Sequence, residues 1–140
     1  VELDNAVFHL MRRAMQEHTS SWQSRLPHLT KPQYAVLNAI RANPGIEQAQ
    51  LGHRAAIDKA TLASLLVRME QRGLVHRTVD DADRRRRLLR LTPIGEAELR
   101  AVEPIADRVD IELLDRLTSD ERAELLRLLD KLAPRDRLVN

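Results

Sequence analysis

All four glycines of this 140-residue chain (Gly45, Gly52, Gly73 and Gly95) fall in its middle half, and no other feature restricts the fold as much. Glycine and proline are the strongest punctuators of local structure. A chain that concentrates its glycines centrally has short elements in the middle and room for long helices on both flanks. The N-terminal flank agrees. Leu3, Val7, Leu10, Met11, Ala14, His18 and Trp22 recur at three-to-four spacing, which predicts a helix over residues 3 to about 24. Leu26-Pro27 and Pro32 bracket a turn. Thr30 caps the next helix, whose apolar stripe is Tyr34, Leu37 and Ile40, and Asn43-Pro44-Gly45 ends it.

The C-terminal flank is also helical. Thr92 caps a helix with Pro93 at its first position. Leu99, Val102, Ala106, Val109 and Leu113 carry the stripe, and the helix is expected to reach about Leu117. Pro104 lies inside it and is expected to kink or interrupt it, because proline removes a donor and crowds the preceding turn. Thr118 and Glu121 have the spacing of a capping box. The helix they open carries Leu125, Leu126, Leu128, Leu129 and Leu132 on more than one face, so it needs more than one neighbour.

The centre is made of short pieces. A helix is expected over about 47–55 with Leu51 inward and Gly52 admitting a neighbouring helix. Asp58 then caps a helix from Lys59 to Arg72, with Leu62, Leu65, Leu66 and Met69 on its buried face and Gly73 as its stop. Leu74–Val79 alternates as a strand, residues 80–86 form a charged loop, and Arg87–Leu91 returns as a second strand. Two helices joined by a tight turn, followed at once by a hairpin, make a winged helix-turn-helix. The fold class is therefore mainly α with a small β-hairpin wing, in a single domain over 1–140 with its core at 30–92.

Formal net charge is only +2, yet the loop reads DDADRRRRLLRL. Arg84, Arg85, Arg86 and Arg87 stand together before an apolar strand, a placement that complements a polyanion outside the protein. The second helix of such a motif enters the DNA major groove, and a wing arginine suits a narrow minor groove. Arg87 and Arg90 then sit nearer phosphates. Asp83, two residues before Arg85, can orient its guanidinium by a bidentate bond. Lys59 and Arg68 are expected on phosphates, and Thr61 and Ser64 on bases or methyl groups.

The chain contains no cysteine, which excludes disulfides, thiolate metal sites and thiol redox sensing, and which fits the cytoplasm. No signal-peptide pattern and no apolar run of about 20 residues is visible, so no membrane partner is expected. His9, His18, His28, His53 and His76 show no zinc-site spacing. Neither a nucleophile elbow nor a phosphate-binding glycine loop occurs. No metal, no cofactor and no enzymatic activity are expected.

The stretches LTKPQYAVLNAI, QLGHRAAIDKATLASLLVRMEQRGLVHR and DDADRRRRLLRLTPIG resemble the MarR family of transcription regulators over nearly the whole chain. The resemblance implies a homodimer whose N- and C-terminal helices, within 1–29 and 93–140, form the dimerisation region. It implies double-stranded DNA as partner, with Lys59, Ala60, Thr61 and Ser64 at the reading end of the recognition helix and Asp83–Arg85 as the wing pair. It also implies a small anionic, often aromatic, effector held between the dimer helices and the winged helix. His9, Arg12, Arg13, His18 and Trp22 are the residues of the first helix that could line such a site. The function expected is a DNA-binding regulator, a repressor released by an aromatic acid or acyl-CoA ligand. Two alternatives stay open: a winged-helix protein-interaction module that does not bind DNA, and a metal-responsive regulator.

Overall fold

The computed structural model describes residues 1–135. Its elements are α1 (Val7–Arg25), α2 (Lys31–Ala42), β1 (Ile46–Glu47), α3 (Gln48–Ala55), α4 (Lys59–Gln71), β2 (Val75–Val79), β3 (Arg87–Leu91), α5 (Pro93–Leu114) and α6 (Ser119–Leu132). The fold is the mainly helical winged helix-turn-helix expected. No helix among the described residues is long and apolar enough to cross a membrane.

The first helix starts later than its stripe suggests. Leu3–Asn5 form a 3-10 turn, Ala6 is extended and offers no side-chain cap, and α1 begins at Val7. Asp and Asn favour turns over helix interiors, and Leu3 finds no core to hold it on a helical stripe: it is exposed, as are Val7, Phe8 and Leu10. Burial begins only at the far end of α1, with Trp22.

Capping residues place the other helices. Thr30 Oγ1 accepts from Gln33 N at 3.2 Å while Gln33 Oε1 accepts from Thr30 N at 3.0 Å, a reciprocal box that starts α2. Thr118 and Glu121 repeat the arrangement at α6, at 3.2 and 2.8 Å. Each such cap satisfies backbone donors that the first turn leaves without partners. Leu37 and Ile40 are buried as expected, together with Val36, while Tyr34 is partly buried against them.

The sheet has three strands in the order β1-β3-β2, one more than the sequence suggested. Ile46 and Glu47 pair antiparallel with Leu89 and Leu88, and Val75–Val79 pair with Leu91–Arg87. A two-residue strand is too short for alternation to show. Leu74, expected to open β2, instead donates its N–H to Met69 O at 2.9 Å and closes the end of α4. Gly73, at φ +73°, makes that exit possible.

Pro104 does not interrupt α5, which runs unbroken from Pro93 to Leu114. Pro104 and Arg100 are both exposed, so this stretch of α5 lies on its outer side. Val102, Ala106 and Val109 are buried on either side and hold the helix to the core. The helix ends at Leu114 rather than Leu117, and Arg116 and Leu117 donate into a tight turn. Three side-chain pairs among the described residues tie α1 to the last turns of α5 and the turn beyond: His18 with Asp110 at 2.6 Å, Arg25 with Glu112, and Glu17 with Arg116 at 2.5 Å.

One core cluster joins all of this, from Trp22 and Leu26 through Val36, Leu37, Leu51, Leu62, Leu66 and Met69 to Leu89, Leu99 and Val109. The last helix contributes nothing to it: α6 has no buried residue.

Candidate nucleic-acid interface

The core pins α4 by Leu62, Leu66 and Met69 and leaves its opposite side open. Lys59, Ala60, Thr61, Ser64 and Arg68 are all exposed there, as the spacing predicted. Asp58 caps the helix with both carboxylate oxygens engaged. Oδ1 accepts from Thr61 N at 2.9 Å and Oδ2 accepts from Thr61 Oγ1 at 2.7 Å. These two donors hold the Asp58 carboxyl below the usual carboxylate range.

The wing divides its arginines into two kinds. Arg85 Nε lies 3.2 Å from Asp83 Oδ1, Nη2 lies 3.5 Å from Oδ2, and the Arg85 backbone N–H donates to Oδ1 at 3.1 Å. This is the pairing read from the sequence. The guanidinium first, and the backbone N–H second, hold the Asp83 carboxyl below its ordinary value. The Arg85 side chain is nevertheless 91% exposed. Arg84 is also exposed, with no side-chain partner among the described residues. Arg86 is different: it sits between Glu47 at 3.3 Å and Asp80 at 3.1 Å. Arg87 Nη1 donates to Arg84 O at 2.7 Å and braces the tip. Arg90 packs its guanidinium over Gly45, where a β-carbon would come within 3.0 Å of Nη2. Sequence reasoning missed Glu47 and Asp80 as braces. The Asp80–Arg86 spacing across a hairpin could have revealed one of them; Glu47 belongs to the strand that was not expected.

The first-helix residues scatter. His9 is half-buried, and Arg12 and Arg13 are exposed. Trp22 is 3% exposed, donates Nε1–H to Leu29 O at 2.7 Å, and meets Tyr34 edge-on with centroids 5.2 Å apart. His18 bridges three elements, because Lys31 Nζ lies 3.2 Å from its Nδ1 and Asp110 Oδ1 lies 2.6 Å from its Nε2. An ammonium only donates, so Nδ1 accepts and Nε2–H is the donor to Asp110. Burial pushes the Lys31 ammonium below its ordinary value, and the Asp110 charge opposes that shift. A cleft of about 920 Å³ opens between the end of α1, the start of α2 and α4. Thr19, Trp22, Lys31, Thr61, Leu65 and Arg68 are among its lining residues. Of the first-helix set only Trp22 lines it directly, and His18 reaches it through Lys31. Among the described residues no group of three or more His, Cys, Asp or Glu side chains could hold a metal ion.

Residues 29–86 match the MarR family. The transcriptional regulator HosA of Escherichia coli is 52% identical over 130 residues, covering 93% of this chain and 96% of HosA. The chain belongs to the MarR family. Two solved MarR-type structures extend the likeness to the whole fold. BpsR of Bordetella bronchiseptica, whose DNA binding is regulated by 6-hydroxynicotinic acid, is 32% identical with a TM-score of 0.91, over 96% of this chain and 97% of BpsR. The repressor CouR, solved on a 23-mer DNA duplex, is 32% identical with a TM-score of 0.84, over 94% of this chain and 95% of CouR. This MarR-family protein is thus a winged helix-turn-helix DNA-binding transcription regulator and not an enzyme.

Proposed function

We propose that the protein is a homodimeric repressor of the cytoplasm that binds a near-palindromic operator and is released by a small aromatic acid or its coenzyme A thioester. The observation that carries the DNA part is Arg85, almost wholly exposed yet aimed by Asp83, on a wing beside the open face of α4. A guanidinium so held enters a minor groove along one direction instead of many. Arg84 accompanies it, while Arg86 and Arg87 stiffen the wing. Ala60, Thr61 and Ser64 face base edges in the major groove, and Lys59 and Arg68 take flanking phosphates. Two-fold symmetry sets the half-sites roughly 34–36 Å apart.

Arginine deletion tests this directly. Arg85→Ala is expected to weaken binding to a duplex selected from a randomised pool by about 1–3 kcal/mol. The slope of log affinity against log salt should fall in magnitude by about 0.9, the signature of one lost phosphate-proximal cation. Wild-type affinity that ignores salt would instead favour a protein-interaction module.

The effector part is supported by the cleft and by the family. Regulation of BpsR by 6-hydroxynicotinic acid supports an aromatic acid as the ligand class. Lys31, partly desolvated at the cleft wall, is the cation that a carboxylate would meet. A ligand there touches Thr61, Leu65 and Arg68 on α4 itself, so it favours whichever arrangement of the recognition helix fits it best. A thermal-shift panel of aromatic carboxylates, their coenzyme A thioesters and divalent metals tests the point. A ligand that binds only the folded state raises the melting temperature with concentration, by about 2.7 kcal/mol of stability at a hundred times its Kd. A carboxylate or thioester is expected to do so, and Lys31→Met to abolish it. A response confined to metals would overturn this assignment.

A further inference from the structure

The hydroxyl of Thr61 stands at the reading end of the recognition helix with its hydrogen already committed. Thr61 Oγ1 donates to Asp58 Oδ2 at 2.7 Å, and the second carboxylate oxygen takes the Thr61 backbone N–H at 2.9 Å. A hydroxyl has one hydrogen and two lone pairs. With the hydrogen on Asp58, only acceptor lone pairs remain for anything outside the protein. Both residues are exposed, so this is a surface arrangement and not a buried one.

From this geometry we infer that Asp58 makes Thr61 an acceptor-only reader, selecting the amino-bearing edge of adenine or cytosine at one position of each operator half-site. In the major groove adenine N6 and cytosine N4 donate, whereas guanine O6, guanine N7 and thymine O4 accept. An acceptor facing either of the last two bases leaves two lone-pair edges opposed in a site that binding has dried. Thr61 therefore admits the first pair of bases and rejects the second. Asp58 is a positioning residue in this scheme: it sets the polarity of a neighbour without touching DNA.

The choice of cap supports the assignment. Ser and Asn cap helices about as well as Asp. A carboxylate at the end of the helix that approaches a polyanion opposes binding. Among these residues, only Asp combines a backbone cap with a second oxygen that is always an acceptor. Two hydrogen bonds and the positive helix end keep that carboxyl ionised at neutral pH.

The inference rests on DNA binding through α4, and the test separates the two. Wild type, Thr61→Val and Asp58→Asn are each used to select duplexes from a randomised pool, and the enriched sequences are compared. Wild type is expected to prefer adenine or cytosine at one symmetric pair of positions, by about fivefold to a hundredfold over guanine or thymine. Thr61→Val removes the hydroxyl at nearly constant shape and is expected to flatten that position alone. Asp58→Asn keeps an acceptor for the Thr61 N–H but turns an amide N–H₂ towards the hydroxyl. The freed hydroxyl hydrogen then points outward, so guanine and thymine should become acceptable at the same position. A purely structural cap would change overall affinity and leave base preference alone. Intact selection with an unchanged consensus in both variants overturns the inference and spares the DNA reading. Retained preference in Thr61→Val alone would assign the contact to the methyl group and also overturn it. Failure of the wild type to enrich any sequence would overturn the DNA reading itself.

Discussion

Gly95→Ala is expected to be the most destabilising single-methyl change in the chain. A β-carbon at Gly95 would lie 2.0 Å from Leu74 O and 3.0 Å from Leu74 C. Both are backbone atoms, and no rotamer change removes them. Nor is Leu74 free to retreat. Its N–H is bonded to Met69 O at 2.9 Å, its carbonyl accepts from Thr92 N at 3.1 Å, and its side chain is buried. Either α5 must lift from the sheet or the α4–β2 junction must open. The loss should be about 3 kcal/mol or more, seen as a melting point lower by about 10 °C. Gly52→Ala is the control, because its β-carbon would meet Ile57 O at 3.1 Å and Leu62 Cδ2 at 3.2 Å, and one of these is a side chain. Its loss should be clearly smaller. A Gly95→Ala protein that melts with the wild type would refute the reading.

Leu126→Asp should have the opposite profile, leaving the subunit folded while abolishing its pairing. Leu126 is 63% exposed, and Leu125, Leu128, Leu129 and Leu132 are exposed with it. Phe8 of α1 and Ile111 and Leu114 of α5 are exposed as well. A monomeric protein seldom leaves so many large apolar side chains of its terminal helices exposed, and a second copy of the chain would cover them. An aspartate there costs the isolated subunit little, about half a kcal/mol of helix propensity, because Leu126 is outside its core. In a dimer it would bury an unpaired charge. Sedimentation is expected to show dimers for the wild type and monomers for the variant. Affinity for a two-half-site duplex should fall by about 10²–10⁴, the advantage of linked binding. An undisturbed dimer would place the interface elsewhere.

What could be read from the sequence follows from distance along the chain. Thr30, Asp58, Thr92 and Thr118 act within one helical turn, so each cap was legible. The Asp83–Arg85 pair is equally local. Lys31 was not, because its partner His18 is 13 residues away and belongs to another helix, and His18 in turn meets Asp110. Glu47 was invisible for a related reason: it braces Arg86 only because a two-residue strand pairs with β3. Of the two outcomes expected at Pro104, a kink or an interruption, the interruption does not occur, because a local rule says what proline removes but not what holds the helix on either side of it. Trp22 was legible as a stripe residue and as an aromatic plate, but the bond from its N–H to Leu29 O, beyond the end of its own helix, was not.

Thr92 donates its hydroxyl to Gly73 O, at the exit of α4, and accepts from Gly95 N at 3.0 Å, at the entry of α5. A single side chain thus rivets the recognition helix to a rod of 22 residues. At 1.5 Å per residue that rod is about 33 Å long, and a tilt of about 5° at the rivet sweeps its far end through about 3 Å. Thr92 is thus the joint at which any change in the angle between α4 and α5 would have to be taken up. Such a tilt must carry Val102, Ala106 and Val109 with it, so the core that holds α5 also resists the swing and sets how freely the far end can move.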